Sequence, residues 1–233
     1  MGRLPPRTVV AFDVYGTLGD PAPVVDAFPA SAGEAGRLAA AWRRHQLEIS
    51  WLLSLMGRYE DFEAVTAYAL EAAFAEAGLE LDGLLRRELL ARLERLVLYE
   101  DVPVALGRLQ EAGFRLAILS NGSPRMLESL CTAAGIRERF EEVISVHEVG
   151  IYKPAPVVYR HAAERLGRPI GEIWLVSGNP FDAAGAKAAG MRVAKVERGP
   201  SFRYPFAGEP DLVVATLAQL ADALPRAGRS LRG

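Results

Sequence analysis

Two features of the chain predict an α/β protein, a Rossmann-like parallel sheet core carrying an inserted all-helical cap subdomain. Short apolar runs without polar alternation each border a helical stretch, and one long tract of helical periodicity separates the first run from the second. The first run, Thr8 to Phe12, is β-prone and ends at Asp13. Such a run suits a strand buried on both faces of a parallel sheet. The pattern returns at 115–120, 142–146, 173–177 and 192–196, with 211–215 last. Strands separated by helices of about ten residues or more imply right-handed βαβ crossovers and an open sheet, whose ligand site lies beyond the strand C-termini.

The tract over 20–100 has no evident strand and reads as the cap, leaving 1–19 and 101–233 as the α/β core. Ser31 and Glu34 have capping-box spacing, and Leu38, Trp42, Ile49, Leu52, Leu53 and Met56 follow at near-helical intervals until Gly57 and Arg58 close the helix. A second helix runs from about Asp61 to Ala77 and stops at Gly78. A third begins after Asp82 and places Leu85, Leu89, Leu93 and Leu96 on one stripe. Pro225 to Gly233 carries three arginines and little apolar content, so it is expected to fray.

Composition narrows the partner. Against 27 Lys and Arg stand 29 Asp and Glu, a net charge of -2 with no dense run of either sign, which offers little field to nucleic acid or acidic lipid. A small molecule is the expected partner. Cys131 is the single cysteine, so an intramolecular disulfide is impossible and a reducing compartment fits. The N-terminal apolar run breaks after Phe12, too short for a signal peptide or a membrane span, and a soluble, cytoplasmic protein is expected.

Polar groups converge where the fold class puts a site: Asp13 with Thr17, Ser120 with Asn121, Lys153, and Ser177 with Asn179 and Asp182. Any one of them has an ordinary reading as a turn-former or helix cap. Four polar strand ends on one face of an open sheet fit a ligand site better. His45, His147 and His161 are scattered without metal-ligand spacing and read as non-catalytic. Gly185 and Gly190 suit close packing and a helix end, not a phosphate loop.

Asp13-Val14-Tyr15-Gly16-Thr17-Leu18, Ser120-Asn121-Gly122, Tyr152-Lys153-Pro154 and Ser177-Gly178-Asn179-Pro180-Phe181-Asp182, in that order, resemble the four motifs of the haloacid dehalogenase superfamily. The segment from Trp42 to Phe62, WRRHQLEISWLLSLMGRYEDF, is similar to the cap signature of its L-2-haloacid dehalogenase branch. The resemblance spans nearly the whole chain. Phosphatases of this fold carry a second Asp two residues after the nucleophile, as general acid and metal-site residue; here that position is Tyr15. A halide leaves without a proton, so its displacement needs no such acid. In the fourth motif, where phosphatases often place another Asp, stands Gly178. No metal and no cofactor are therefore expected, since a carboxylate substrate lacks the phosphoryl charge that Mg²⁺ compensates.

The resemblance implies an enzyme that removes halide from a small L-2-haloacid, with Asp13 as the nucleophile, esterified and then hydrolysed. It assigns Asp182 as the base for the hydrolytic water, Asn179 and Ser177 as positioning groups, and Lys153 as the cation that keeps a buried Asp13 ionised. Thr17 would orient Asp13. Ser120 and nearby backbone N–H groups would bind the substrate carboxylate, while Arg43 and Asn121 would cradle the departing halide. Tyr15, Leu47, Phe62 and Phe181 are candidates for the apolar wall around the α-substituent, and Tyr159 for a hydrogen bond within the site. Arg44, where many relatives carry Gln, would add a cation near the pocket mouth, and Pro180 would stiffen the fourth motif. Family members often form cap-linked dimers, so a homodimer is expected. A metal-dependent phosphatase and a non-catalytic carboxylate binder on the same scaffold are the competing readings.

Overall fold

The computed structural model describes residues 8–20, 31–93, 96–199, 202 and 204–230. Its main sheet uses β1 (Val9–Phe12), β4 (Arg115–Ser120), β5 (Glu142–Ser145), β6 (Ile173–Ser177), β7 (Arg192–Val196) and β8 (Leu212–Val214). They pair in parallel in the order β5-β4-β1-β6-β7-β8, as the unalternated apolar runs predict. β1 is central, and all four of its residues are buried. The chain moves outward from β1 through β4 to β5, then returns to β6 on the other side, so the crevice at the sheet's topological switch opens beside the end of β1.

The crossovers include α4 (Val102–Glu111), α5 (Pro124–Ala133), α6 (Pro156–Leu166) and α7 (Pro180–Ala189), and α8 (Leu217–Ser230) ends the described chain. α4 packs with α8, and α6 with α7. Their apolar stripes, including Leu106, Leu109, Leu130, Val158 and Ala186, are buried in one core with Phe12, Ile118 and Leu175. Cys131 belongs to it, and burial pushes its thiol pKa up to about 11. Among the described residues no helix is long and apolar enough to cross a membrane.

Between β2 (Gly19–Asp20) and β3 (Val97–Leu98) lie α1 (Ala32–Leu55), α2 (Phe62–Glu76) and α3 (Gly83–Leu93). Local capping fixes their starts: Glu34 accepts the Ser31 backbone N–H, Asp61 Oδ1 accepts from Ala64 N at 2.9 Å, and Asp82 Oδ1 accepts from Leu84 N at 2.7 Å. α1 and α2 are joined across their buried faces, where Trp42 Nε1 donates to Thr66 O at 2.9 Å and Gln46 Nε2 to Thr66 Oγ1 at 3.0 Å.

Two expectations are corrected. The tract expected to lack strands is bounded by an antiparallel ribbon pairing Gly19 with Leu98 and Asp20 with Val97. Two residues per strand are too few to show a period. Leu96 accordingly leaves the helical stripe and packs on Gly19, where a Cβ would lie 3.1 Å from its side chain. The tail expected to fray is helical as far as Ser230, and only 231–233 of it fall outside the described residues.

Candidate active site

The register of the sheet assembles the site. Val9 to Phe12 pair with Arg115 to Ile118 on one side and Ile173 to Val176 on the other. Asp13 N extends the ladder by donating to Val176 O at 3.0 Å, which sets Asp13 level with the ends of β4 and β6. The chain then turns sharply, because the N–H groups of Thr17, Leu18 and Gly19 all donate to Val14 O, at 3.1, 2.9 and 2.9 Å. Gly16 takes a φ of 75° in this turn, a value L side chains resist. Thr17 is thereby carried back over Asp13.

The Asp13 carboxylate is buried and accepts from three groups. Oδ2 receives Thr17 Oγ1 at 2.8 Å and Asn179 Nδ2 at 2.7 Å, and Oδ1 receives Lys153 Nζ at 3.3 Å. Lys153, only 1% exposed, also donates to Asp182 Oδ2 at 2.9 Å and to Leu119 O at 2.6 Å, which uses all three of its protons. Tyr159 OH donates to Asp182 Oδ1 at 2.8 Å. Desolvating each such charge costs several kcal/mol, and the opposite charge beside it offsets part of that cost.

Their protonation follows from this geometry. Burial disfavours the Lys153 ammonium, but the carboxylates of Asp182 and Asp13 outweigh it and lift its pKa above the ordinary lysine range. Burial likewise lifts Asp182 above the usual aspartate range, and the attraction of Lys153 only partly offsets it. Burial and the adjacent Asp182 hold the Tyr159 hydroxyl protonated, as a donor.

Ser120, Asn121 and Ser177 shape the loops. Ser120 Oγ accepts from Gly122 N at 3.2 Å, Asn121 Oδ1 from Lys153 N at 3.1 Å, and Ser177 Oγ from Asn179 N at 3.1 Å. Asn121 thus holds the backbone that presents Lys153. Pro180 opens α7, so that Asp182 lies in its first turn, where a negative charge suits the helix dipole.

The helical insert closes over these loops. Arg43 Nη2 donates to Asn179 Oδ1 at 3.1 Å, which puts its guanidinium one residue from Asp13. Burial lowers the Arg43 pKa and Asp13, Tyr15 and Asp182 offset this, leaving a group that is charged at neutral pH. Leu47 and Trp51 follow on α1 at spacings of four, so all three lie along one stripe of that helix. Trp51 Nε1 donates to Lys153 O at 3.1 Å, and its ring meets Phe181 edge-on with centroids 5.7 Å apart. The Tyr15 and Phe62 rings meet at a tilt, with centroids 5.7 Å apart. Every expected site residue therefore lies at the strand ends or on the elements packed over them.

Three placements differ from expectation or escaped it. Arg44 does not face the site: it pairs with Glu76 on α2 at 2.5 Å with both side chains half exposed, because adjacent helical residues point about 100° apart. Trp51 is a site neighbour outside the expected set, although it follows Arg43 by about two helical turns on α1. Arg198, which donates to Thr17 O, lies outside the four motifs and had no sequence signal.

A family model described as haloacid dehalogenase-like hydrolase matches residues 8–190. The chain is similar to an (S)-2-haloacid dehalogenase of Pseudomonas sp. strain YL, 37% identical over 229 residues that span 96% of this chain and 97% of that one. An (S)-2-haloacid dehalogenase of Xanthobacter autotrophicus is 43% identical over 190 residues, 81% of this chain and 74% of its own. A solved L-2-haloacid dehalogenase from Xanthobacter autotrophicus, with chloropropionic acid covalently bound, matches with a TM-score of 0.85 at 36% identity, covering 94% of this chain and 98% of that one.

One position in the fourth motif is closed to any side chain. A Cβ at Gly178 would lie 2.1 Å from Gly16 O, and Gly178 N donates to Thr17 Oγ1 at 2.8 Å, so the two loops touch backbone to backbone. An Asp there has no room, and among the described residues no three His, Cys, Asp or Glu side chains are grouped to hold a metal ion. Gly178→Ala is expected to destabilise the protein by roughly 1–3 kcal/mol through forced separation of these loops. Denaturant unfolding measures this, and a variant as stable as the parent would contradict the close approach.

Proposed function

The chain belongs to the haloacid dehalogenase-like hydrolases, and within them we propose that it is an (S)-2-haloacid dehalogenase, converting small L-2-haloalkanoic acids to D-2-hydroxyacids. The observation that carries this reading is the setting of Asp13. It is a buried carboxylate flanked by Lys153, Thr17 and Asn179, with Tyr15 where a phosphatase would need a second acid.

In the proposed reaction Asp13 attacks the halogen-bearing carbon opposite the halogen and forms an ester. The attack inverts that carbon once. Oδ1, with one long hydrogen bond, is the freer oxygen, while Oδ2, held by Thr17 and Asn179, remains the carbonyl. When water adds to the ester, negative charge grows on that carbonyl oxygen, already facing two donors. Asp182 takes the water's proton, and burial makes it a stronger base than an exposed aspartate. Hydrolysis at the acyl carbon leaves the substrate carbon untouched, so the inversion survives.

Arg43 contacts Asn179 through one nitrogen and keeps further N–H donors for the departing halide, with Asn121 as its partner. Ser120 and neighbouring backbone N–H groups receive the substrate carboxylate. Tyr15, Leu47, Phe62 and Phe181 surround the α-substituent, and Tyr159 fixes Asp182. The helices between β2 and β3 serve as the cap, residues 20–100 against a core of 1–19 and 101–233. Exposed Leu52, Leu55 and Met56 at the end of α1 support a homodimer through that cap, and the buried lone Cys131 suits a cytoplasmic setting.

Two measurements test the reading. Halide release and product configuration across L- and D-2-chloropropionate and their bromo analogues should show turnover of the L acids alone, with D-hydroxyacid product, unaffected by chelator. Equal use of both enantiomers, a retained product, or chelator-sensitive phosphate ester hydrolysis in its place would refute it. The second follows from protonation: Asp182 must be ionised to accept a proton, so activity is lost as pH falls through its raised pKa. The acid limb of kcat is expected above the aspartate reference of about 3.9. A limb at or below that value would exclude Asp182 as the base.

A further inference from the structure

Arg198 lies two residues past the end of β7, and its side chain is only 12% exposed. Its guanidinium grips the nucleophile loop from behind: Nε and Nη2 donate to Thr17 O at 3.2 and 3.0 Å. Nη1 donates to Asp101 Oδ2 at 3.0 Å, Nη2 lies 2.9 Å from Asp101 Oδ1, and the plane covers the Tyr99 ring, 3.9 Å from its centroid. Each of these partners belongs to a different segment of the structure. Thr17 holds Asp13 Oδ2 through its hydroxyl. Tyr99 follows β3, the strand that brings the chain back from the helical insert, and its N–H donates to Leu18 O at 3.0 Å. Asp101 begins α4 and also accepts from Leu217 N, the first residue of α8, at 2.7 Å.

A peptide carbonyl is satisfied by one neutral donor, whereas Thr17 O receives two from a guanidinium that is itself held by Asp101, through a hydrogen bond to Oδ2 and ionic contact with Oδ1. That arrangement fixes the direction of the Thr17 peptide as well as its position. The neighbouring Lys195, fully buried, treats the fourth-motif loop alike by donating from Nζ to Gly178 O at 2.8 Å, and Gly178 N returns to Thr17 Oγ1. The end of β7 therefore steadies both loops that meet at Asp13.

We infer that Arg198, oriented by Asp101, is a positioning residue for the Asp13 nucleophile, holding the Thr17 hydroxyl on Oδ2 and tying that alignment to the ribbon on which the helical insert is mounted. It touches no reacting atom, and its contribution to turnover, which rests on the dehalogenase reading above, passes through Thr17. Lysine cannot substitute fully, because an ammonium lacks the planar fork that spans Thr17 O and Asp101.

The test is a double-mutant cycle on kcat and KM for halide release from L-2-chloropropionate, with Arg198→Ala, Arg198→Lys and Asp101→Asn each made in parent and Thr17→Ala backgrounds. A small misplacement of a reacting group costs up to about 100-fold in rate, so Arg198→Ala is expected to lower kcat about 10- to 100-fold with KM little changed. In the Thr17→Ala background the same change should cost less than about threefold, because the route it acts through is already cut. Arg198→Lys should recover part of the loss, and it carries the cycle with Asp101→Asn if the alanine variant does not fold. Folded variants with parental kcat, or equal losses in both backgrounds, would overturn the inference and make Arg198 a support of the fold alone. Parental enzyme that releases no halide would instead sink the dehalogenase reading and take the inference with it.

Discussion

One ammonium group, held away from water between two carboxylates, sets the terms for everything around it. Lys153 Nζ lies 3.3 Å from Asp13 and 2.9 Å from Asp182, and all three side chains are buried. At an effective dielectric of about 20, charges this close attract by roughly 5–6 kcal/mol per pair, comparable with the several kcal/mol each loses on leaving water. Neither carboxylate balances its own desolvation without the lysine. The rest of the site consequently fixes geometry: Asn121 and Trp51 hold the Lys153 backbone, Leu119 O takes its third proton, and Tyr159 holds Asp182.

The same constraint links fold to chemistry. Asp13, Lys153 and Asp182 follow β1, β5 and β6, and parallel pairing of β1 with β6 on one side and, through β4, with β5 on the other brings them to one end of the sheet. The close backbone contact of Gly16 and Gly178 then sets the spacing between the Asp13 and Asn179 loops. In the proposed reaction Asp13, oriented by Thr17 and Asn179, loses little motion on reaching the transition state, which is the physical advantage of a preorganised site. The helical insert adds the charge the core lacks. Asp13 and Asp182 against Lys153 leave one net negative charge, unfavourable to an anionic substrate, and Arg43 brings the sum to zero.

Much of this was legible in the sequence, for identifiable reasons. Strands buried on both faces announce themselves as apolar runs, and Asp13, Ser120 and Ser177 stand at the ends of such runs. Caps and glycine stops marked α1 and α2 to within a residue or two. The β2–β3 ribbon is hidden because two residues carry no period, and Leu96 falls on the α3 stripe by spacing alone. The direction of Arg44 depends on α2, a partner that α1 alone does not reveal. Arg198 escaped because backbone carbonyls such as Thr17 O leave no mark on residue identity, so their partners emerge only in three dimensions.

The central claim is that Asp13 is esterified and that water opens the ester at its carboxyl carbon. A single turnover of L-2-chloropropionate in heavy-oxygen water, with enzyme in excess, tests it directly. The oxygen joined to the substrate carbon then comes from the protein, so the account predicts label in the peptide containing Asp13 and little in the hydroxyacid, with transfer to product only in later turnovers. Label in the hydroxyacid on the first turnover, with the Asp13 peptide unlabelled, would contradict it and make Asp13 or Asp182 a general base for direct attack by water.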